Sequence, residues 1–499
     1  MGRARAAPAR ASPVALFLFR RDFRLHDNPG LLRALRWCAA AGVPLVPAFA
    51  FSGRQTSPRR NAYYSARAFR AMVSLLQDLG AALGPLRPLA LFRTEGEDDA
   101  LLEALHASHP VAAVFFNRDV TPFARARDER IRAWGAGRGV PVDDGGLGDG
   151  YTLWPTGSIL SEAGTALRVF APFHRRCLAK RPPRPIDERR VRRALVANAL
   201  VASGAARRGL LRALRVGGAA AGTTAESELR RAGQPGQPGQ AGQPGQGGHG
   251  RLGGPGGLGG LGEAGRGRSI VRQIAAGRFD GYDKDRERFA LPASTTRLSV
   301  HLKFGAVSAA EVLRAARGRA AEGRGGGGAS LARQLHWREY YYHLAAAHPE
   351  LLGGLREGRA LGEPNAHVRP DRQALRWRGG DRARLELARW TGARTGEPLV
   401  DAAMRCLRAT GWLHNRLRMV AASHLVHEMG VDWRLGERAM AALLLDYDPC
   451  QNSGGWQSMD AQRPGRTIKA SSQAARYDPD GAFTRAWQGL SPATPPPSS

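Results

Sequence analysis

Short apolar runs alternate with segments of helical periodicity over the first part of the chain. Four runs are long enough for buried strands: residues 14–19, 45–51, 89–92 and 111–116. Three segments between them carry apolar side chains three and four positions apart, which predicts helices: residues 29–41, 62–79 and 98–107. Such alternation is typical of a doubly wound α/β fold with a parallel sheet. The pattern predicts an α/β domain over residues 14–145.

A long central stretch contains no aromatic residue. No Phe, Tyr or Trp lies between Phe173 and Phe279, so this span has little material for a core. Within it, residues 232–268 include 17 glycines in 37 positions and repeat Gly-Gln-Pro. Ordering such a segment costs more entropy than its apolar surface can offset. We interpret residues 146–268 as an interdomain linker with a disordered insertion at about 217–268.

Beyond residue 269 the pattern changes to long helical stretches rich in Trp, Arg and His. Seven of the ten tryptophans follow residue 330, which predicts an all-α domain over residues 269–490 built around aromatic side chains. Residues 1–13 and 491–499 are predicted to be a disordered leader and a disordered tail. The Arg- and Ala-rich leader contains no acidic residue, so a short transit peptide is the alternative interpretation.

Charge and cysteine content narrow the function classes. The balance of 74 Lys+Arg against 43 Asp+Glu gives +31 at pH 7 and indicates a polyanionic partner. All but four of these cations are arginine, as a GC-rich genome would produce, so the total alone is a weak argument. No run approaches the ~20 apolar residues of a membrane span. Four scattered cysteines without a C-x-x-C pair suggest a reducing, intracellular compartment, although nucleus, cytoplasm and organelle stay open.

Three segments of the second domain carry candidate chemistry. Residues 282–305 end in TTRLSVHLKFG, where short hydroxyls, one arginine and a following helix suit a diphosphate. Ser or Thr before a helix is, however, often only an N-cap. The second segment is QLHWREYYYHL at residues 334–344. The third is GWLHNRLRM at 411–419, followed by LLLDYDPCQNSGGWQ at 443–457.

Together with FRRDFRLHDNPGL at residues 19–31 and FNRDVTPFARARD at 116–128, these segments resemble the DNA photolyase/cryptochrome family. The resemblance is strongest to class I-type enzymes that repair cyclobutane pyrimidine dimers. It implies a blue-light-dependent lyase in which photoexcited, reduced FAD donates one electron to the dimer. It also implies UV-damaged DNA as partner, no metal, no membrane and a monomer. A second antenna chromophore, methenyltetrahydrofolate or a deazaflavin, is left open, and Asn117 matches a folate-contacting position of some relatives.

The resemblance assigns an FAD site to thirteen positions: Tyr282, Thr295, Thr296, Arg297, Leu298, Ser299, Gln334, Arg338, Arg418, Asp446, Tyr447, Asp448 and Asn452. Arg418 and Asp446 resemble the family's ion pair beside the flavin ring. A reduced flavin is anionic at its N1/O2 edge, and a fixed guanidinium favours that form. The alternative is an ordinary interhelical salt bridge. Asn452 matches the position facing flavin N5, where an amide can both donate and accept.

The resemblance implies five catalytic positions: Trp456, Trp433, Trp377, Asn452 and Gln334. The tryptophans match an electron-transfer chain, and their alternative role is packing in the core. Five positions are implied to contact the DNA of an extruded lesion: Arg286, Trp337, Asn415, Arg416 and Met419.

Several positions depart from the family pattern. Gln334 stands where dimer-repairing enzymes carry Glu, so that an amide donor replaces a transferable proton. Ser458 replaces a second lesion-stacking Trp, and Leu331 replaces an aromatic residue near the flavin. The His-Asn pair at 414–415 stands where (6-4) photolyases carry His-His, which disfavours that enzyme. A cryptochrome-type photoreceptor is the other alternative, opposed by Asn452 and by only 12 residues after Trp487. A nucleic-acid binder without flavin is a third, which a yellow colour of the purified protein would exclude.

Overall fold

The structure is a computed structural model. It describes residues 12–53, 61, 63–84, 89–94, 98–146, 148–199, 264–291, 293–323, 325–352, 377–460 and 467–488. Most of the predicted leader, most of the predicted insertion at 217–268 and the predicted tail lie outside these residues. Within them, no helix combines the length and the apolar character that crossing a membrane requires.

The N-terminal domain is built on five parallel strands. They are Val14–Leu18 (β1), Leu45–Ser52 (β2), Ala90–Thr94 (β3), Val111–Phe115 (β4) and Val142–Asp143 (β5). Their order in the sheet is β3-β2-β1-β4-β5. Strands β2 and β3 therefore extend the sheet on one side of β1, and β4 and β5 extend it on the other side, as in a doubly wound fold. The predicted α/β class and all four predicted strands are confirmed, and β5 was not predicted.

Helices cover this sheet between the strands: Pro29–Ala41 (α1), Ala66–Leu83 (α2), Asp98–Ser108 (α3) and Pro122–Arg138 (α4). Helix α1 begins where the Asn28 side chain accepts a hydrogen bond from the Leu31 N–H, and it ends at Gly42, whose φ is 67°. The prediction for α2 began too early, because Ser65 caps the helix by accepting from the Ala68 N–H. Helix α4 was not predicted.

Two helices form within the segment interpreted as a linker, Phe170–Ala179 (α5) and Glu188–Ala199 (α6). Phe170, Phe173 and Cys177 of α5 are buried in a core shared with the C-terminal domain. Val191 and Leu195 of α6 are buried in the core beside the sheet. The absence of aromatic residues after Phe173 therefore did not prevent this part of the chain from supplying core residues, and our expectation on that point was wrong for residues 174–199.

The C-terminal domain is helical, as predicted. Its helices are Ala264–Ala275 (α7), Tyr282–Asp285 (α8), Ser299–Lys303 (α9), Ala309–Ala321 (α10), Gly327–Ala347 (α11), Gly380–Thr391 (α12), Pro398–Thr410 (α13), Asn415–Ser423 (α14), Trp433–Leu443 (α15), Pro449–Asp460 (α16), Ala470–Tyr477 (α17) and Ala482–Gln488 (α18). A 3-10 turn, Pro349–Leu352, follows α11, and a π-helical turn, His424–Glu428, follows α14. Helix α16 packs against α11, α14 and α15.

Candidate cofactor and lesion site

Helix α16 carries two of the predicted catalytic side chains, Asn452 and Trp456, one turn apart. Residues four apart lie on the same side of a helix. Asp448 caps this helix, because its Oδ1 accepts from the Gln451 N–H at 3.2 Å. The Asn452 Nδ2 donates to the Asp448 carbonyl oxygen at 3.1 Å. The orientation of the Asn452 amide is therefore set by the residue that begins the helix.

Trp456 is buried and touches another tryptophan. The centres of the Trp456 and Trp390 rings lie 6.1 Å apart, edge to face, at an interplanar angle of 72°. Trp390 is fully buried, and its Nε1 donates to the Ala421 carbonyl at 2.9 Å. Sequence reasoning did not place Trp390 in the electron-transfer chain. Its position three residues after Leu387 on α12 signals burial but does not identify its partner.

The other two predicted relay tryptophans share the core of Trp456. Trp433 begins α15 and is buried, while Trp377 is partly buried at the edge of the same cluster. Asp432 fixes the start of α15 by accepting from the Arg434 N–H at 2.9 Å. The structure therefore brings the three predicted tryptophans together with Trp390 and Trp487 in or against one apolar cluster.

Arg418 and Asp446 form an ion pair between α14 and the loop before α16. The Arg418 Nη2 lies 3.0 and 2.8 Å from the two oxygens of Asp446, whose side chain is 1% exposed. The Arg418 Nε donates to the Leu413 carbonyl at 2.8 Å. This second bond fixes the guanidinium plane. The predicted pair is present, and its role toward a flavin stays a prediction.

The predicted diphosphate segment contains the one-turn helix α9. Arg297 has a φ of 53°, and its guanidinium lies 4.8 Å from the ring centre of Trp412. The Trp412 Nε1 donates to the Ser299 hydroxyl at 3.3 Å. Thr296 accepts from the Leu298 N–H at 3.4 Å. Burial raises the pKa of Tyr282, and a hydrogen bond to Thr295 partly offsets that rise.

Three predicted cofactor residues have protein partners. Arg338 is buried and donates to the Tyr151 carbonyl at 2.6 Å. Both carboxylate oxygens of Asp448 accept protein hydrogen bonds. Oδ1 accepts from the Gln451 N–H, and Oδ2 accepts from the Tyr342 hydroxyl at 2.6 Å and from the Arg21 guanidinium at 3.0 Å. The Tyr447 hydroxyl donates to Glu437 at 3.2 Å. Asp448 and Tyr447 thus have structural roles that the motif did not reveal.

The lesion-side aromatic residue Trp337 lies on α11, half-buried. Its ring is parallel to that of Phe170, with 3.5 Å between the ring centres, and is 5.9 Å from that of Tyr341. Gln334 lies one turn earlier and is half-buried, and its side chain makes no hydrogen bond among the described residues. On α16, exposed Ser458 donates to the Gly455 carbonyl at 2.6 Å, and it also bonds the side chain of Tyr341.

Both predicted DNA-binding arginines pair with one carboxylate. Arg286 lies 3.0 Å and Arg416 2.7 Å from the two oxygens of Glu287. These charges lower the pKa of Glu287, although its burial acts in the opposite direction. At the start of α14, the Asn415 amide donates to the Met419 sulfur at 3.6 Å. Glu287, which sequence reasoning missed, therefore joins the two arginines into one surface group.

The comparisons with known proteins agree on one family. The family model described as DNA photolyase matches residues 15–190, and the model described as FAD binding domain of DNA photolyase matches residues 330–489. A curated relative from Streptomyces griseus, named deoxyribodipyrimidine photo-lyase, is 30% identical and aligns over 95% of this chain and 89% of its own. This chain belongs to the DNA photolyase family.

Solved structures of the photolyase family have the same fold. A bacterial class III photolyase from Agrobacterium tumefaciens matches with a TM-score of 0.71 at 24% identity, covering 97% of this chain and 87% of its own. A cryptochrome from Synechocystis sp. PCC6803 matches with a TM-score of 0.72 at 20% identity, covering 96% and 89%. At these identities the likeness establishes the fold alone, so it does not separate repair enzymes from photoreceptors.

The helical domain of this photolyase-family member is an FAD-binding domain, and its residues fit that cofactor. Two buried guanidinium nitrogens, the Nε atoms of Arg297 and Arg338, have no hydrogen-bond partner among the described residues. Burying an unpaired cationic donor is costly, and an anionic ligand beside either arginine would satisfy that donor. The hydroxyls of Thr295 and Thr296, both half-buried, lie beside Arg297 in the chain.

The antenna pigment of this photolyase-family chain stays unidentified. Asn117 is fully buried. Its amide nitrogen donates to Asp22 at 2.6 Å and to Asn28 at 2.7 Å, while its oxygen accepts from the Gly30 N–H at 3.0 Å. The side chain thus holds the loop between β1 and α1 together, which leaves it unsuited to contact a folate.

We expect Glu437 to make stability pH-dependent. It is 2% exposed, and burial raises its pKa to about 8 despite the hydrogen bond from Tyr447. Between the ordinary carboxyl pKa and 8, the folded protein holds a proton that the unfolded chain releases. The free energy of unfolding should therefore fall as pH rises through this window, by up to ~1.4 kcal/mol per pH unit. Urea unfolding of the holoprotein at several pH values measures this slope.

Glu437→Gln should flatten that slope, because an amide has no proton to release and can still accept from Tyr447. The matched control is Glu428→Gln, since Glu428 is exposed on the neighbouring π-helical turn. Equal slopes for parent and Glu437→Gln would show that Glu437 does not titrate in this range.

Proposed function

We propose that this protein is a blue-light-dependent lyase that splits cyclobutane pyrimidine dimers in UV-damaged DNA, with FAD as its cofactor. The observation that carries the proposal is the arrangement on helix α16. Asn452 and Trp456 lie on one side of this helix, and the ring centre of Trp456 is 6.1 Å from that of Trp390. A half-buried amide and a buried chain of oxidisable rings meet there within an FAD-binding domain. This arrangement suits one-electron chemistry.

Bound, reduced FAD supplies the light-driven electron that a dimer accepts and later returns. The chain's own residues hold and tune the cofactor. Arg297, Thr295 and Thr296 hold its diphosphate. Arg418 is fixed by Asp446 and by the Leu413 carbonyl. Its positive charge beside a bound flavin ring would favour the anionic reduced form.

The lesion side uses aromatic and cationic residues. Trp337, supported from behind by Phe170 at 3.5 Å, offers a flat ring on which an extruded base can stack, an interaction worth ~1–3 kcal/mol per base. Arg286 and Arg416 hold the DNA backbone near the extruded lesion. Ser458 contributes no aromatic ring to the lesion site. Tyr341 bonds Ser458, and its ring centre lies 5.9 Å from that of Trp337. Tyr341 therefore supplies an aromatic ring on this side of the lesion site.

A repair assay tests this proposal. Photoreduced protein should restore oligonucleotides that contain a cyclobutane dimer under blue light and not in darkness, and it should leave (6-4) photoproducts intact. Repair of the (6-4) substrate alone would assign the other photolyase reaction. A flavin-loaded protein that repairs neither lesion would support the photoreceptor alternative and contradict the proposal.

Gln334→Glu should raise the dimer repair rate several-fold, because a carboxylic acid adds a transferable proton beside the transient anion. Single-turnover repair under blue light measures the effect, and Gln273→Glu on α7 is the matched control. If Gln334→Glu and the parent repair the dimer equally fast, Gln334 does not contact the lesion.

A further inference from the structure

Arg21 crosses from the α/β domain into the FAD-binding domain. It lies in the loop between β1 and α1, and its Nη1 is 3.0 Å from Asp448. Its Nη2 is 3.0 Å from Asp119 of its own domain and 3.2 Å from the Tyr342 hydroxyl of α11. One guanidinium therefore joins three acceptors on three segments, a geometry that a lysine ammonium cannot reproduce.

The loop around Arg21 is fixed against the second domain by further contacts. The Phe23 N–H donates to the Phe304 carbonyl at 3.1 Å, and the two rings stack 6.1 Å apart. Arg24 donates to the Gly305 carbonyl at 2.9 Å. Gly305 has a φ of 67°, and a Cβ there would collide with the backbone of Arg21 and Asp22. The position of Arg21 is thus set independently of its ion pairs.

Asp448 depends on these partners for its charge. Its side chain is 2% exposed. Burial raises its pKa, but the charges of Arg21 and Arg338 and the Tyr342 hydrogen bond outweigh burial and hold the pKa below its ordinary value. An ionised Asp448 then caps α16 through the Gln451 N–H, and its carbonyl oxygen accepts from the Asn452 side chain.

From this chain of contacts we infer that Arg21 is a positioning residue of the flavin site, acting through Asp448 on the orientation of the Asn452 amide. The α/β domain thereby contributes to the flavin site, because one of its side chains completes the start of α16. This inference rests on the proposed function in one respect, namely that Asn452 faces the flavin. It requires no particular lesion.

Flavin kinetics without DNA test the inference. After photoreduction of the holoprotein, air reoxidation in the dark is followed by absorbance. Arg21→Gln should accelerate reoxidation at least fivefold, because Asp448 loses its strongest partner and Asn452 is no longer held. The reoxidation rate of Arg21→Lys should lie between those of the parent and Arg21→Gln. Arg33→Gln, which breaks a partly exposed pair with Asp143 in the same domain, should behave as the parent.

A double variant separates positioning from general stability. If Arg21 acts through Asp448, Arg21→Gln/Asp448→Asn should reoxidise within twofold of Asp448→Asn alone. Additive effects of the two substitutions on the reoxidation rate would overturn the inference. So would an Arg21→Gln protein that reoxidises within twofold of the parent rate and differs only in a lower unfolding temperature. If Arg21→Gln does not fold, Arg21→Lys serves as the test. A reoxidation rate of Arg21→Lys equal to that of the parent would contradict a positioning role for Arg21. Failure of the dimer-repair assay with these kinetics intact would count against the proposed function only.

Discussion

Replacing Trp456 with phenylalanine is expected to slow light-driven reduction of the bound FAD at least tenfold. Phenylalanine keeps an apolar aromatic ring at the site but is much harder to oxidise, so an electron can no longer leave from the ring one helical turn after Asn452. FAD should remain bound, because Trp456 lies in the apolar cluster and not among the cationic residues near Arg297. Absorbance under blue light with an external reductant measures the rate.

Single substitutions of the neighbouring tryptophans test the route. Trp390 is in ring contact with Trp456, while Trp433 shares the cluster. We expect Trp390→Phe and Trp433→Phe each to lower the rate partly, and the double variant to approach Trp456→Phe. Trp134→Phe in the α/β domain, where Trp134 bonds Glu103, is the control. A parental rate for Trp390→Phe, with Trp433→Phe as slow as Trp456→Phe, would leave a single route through Trp433.

The sequence predicted those parts of the fold that local patterns encode. Buried runs such as residues 111–116 are apolar throughout because a doubly wound sheet is covered on both sides, and their pattern identified the strands. Helix α5 was missed because its burial depends on distant partners: Phe170 is covered by Trp337, 167 positions along the chain. No local pattern contains that information.

The candidate site shows the same division. Motif matching placed Arg418 and Asp446 in one pair, and the structure contains it. It could not distinguish a cofactor ligand from a residue that joins domains, as Asp448 does through Arg21. Nor could it find Glu287, since acidic residues in a segment of alternating charges, such as residues 283–288, ordinarily lie in solvent. These roles depend on which segments meet, and composition does not specify that.

Removing Arg418 is expected to destabilise the protein and release FAD. Arg418→Leu leaves Asp446 charged and unpaired, with a side chain that is 1% exposed. Loss of one partner of a buried pair typically costs 3–5 kcal/mol, and we expect about 3 kcal/mol here, because Arg418 itself remains partly in contact with solvent. Urea unfolding measures this cost, and FAD content per chain after gel filtration measures cofactor loss.

The double variant Arg418→Leu/Asp446→Asn separates structure from redox tuning. Without a buried charge to leave unpaired, stability should return to within about 1 kcal/mol of the parent. The midpoint potential of rebound FAD should nevertheless fall, because the guanidinium that favours the anionic reduced flavin is gone. A double variant that regains both stability and the parental potential would make this pair an ordinary structural salt bridge, whereas recovery of stability alone would place the Arg418 charge at the flavin.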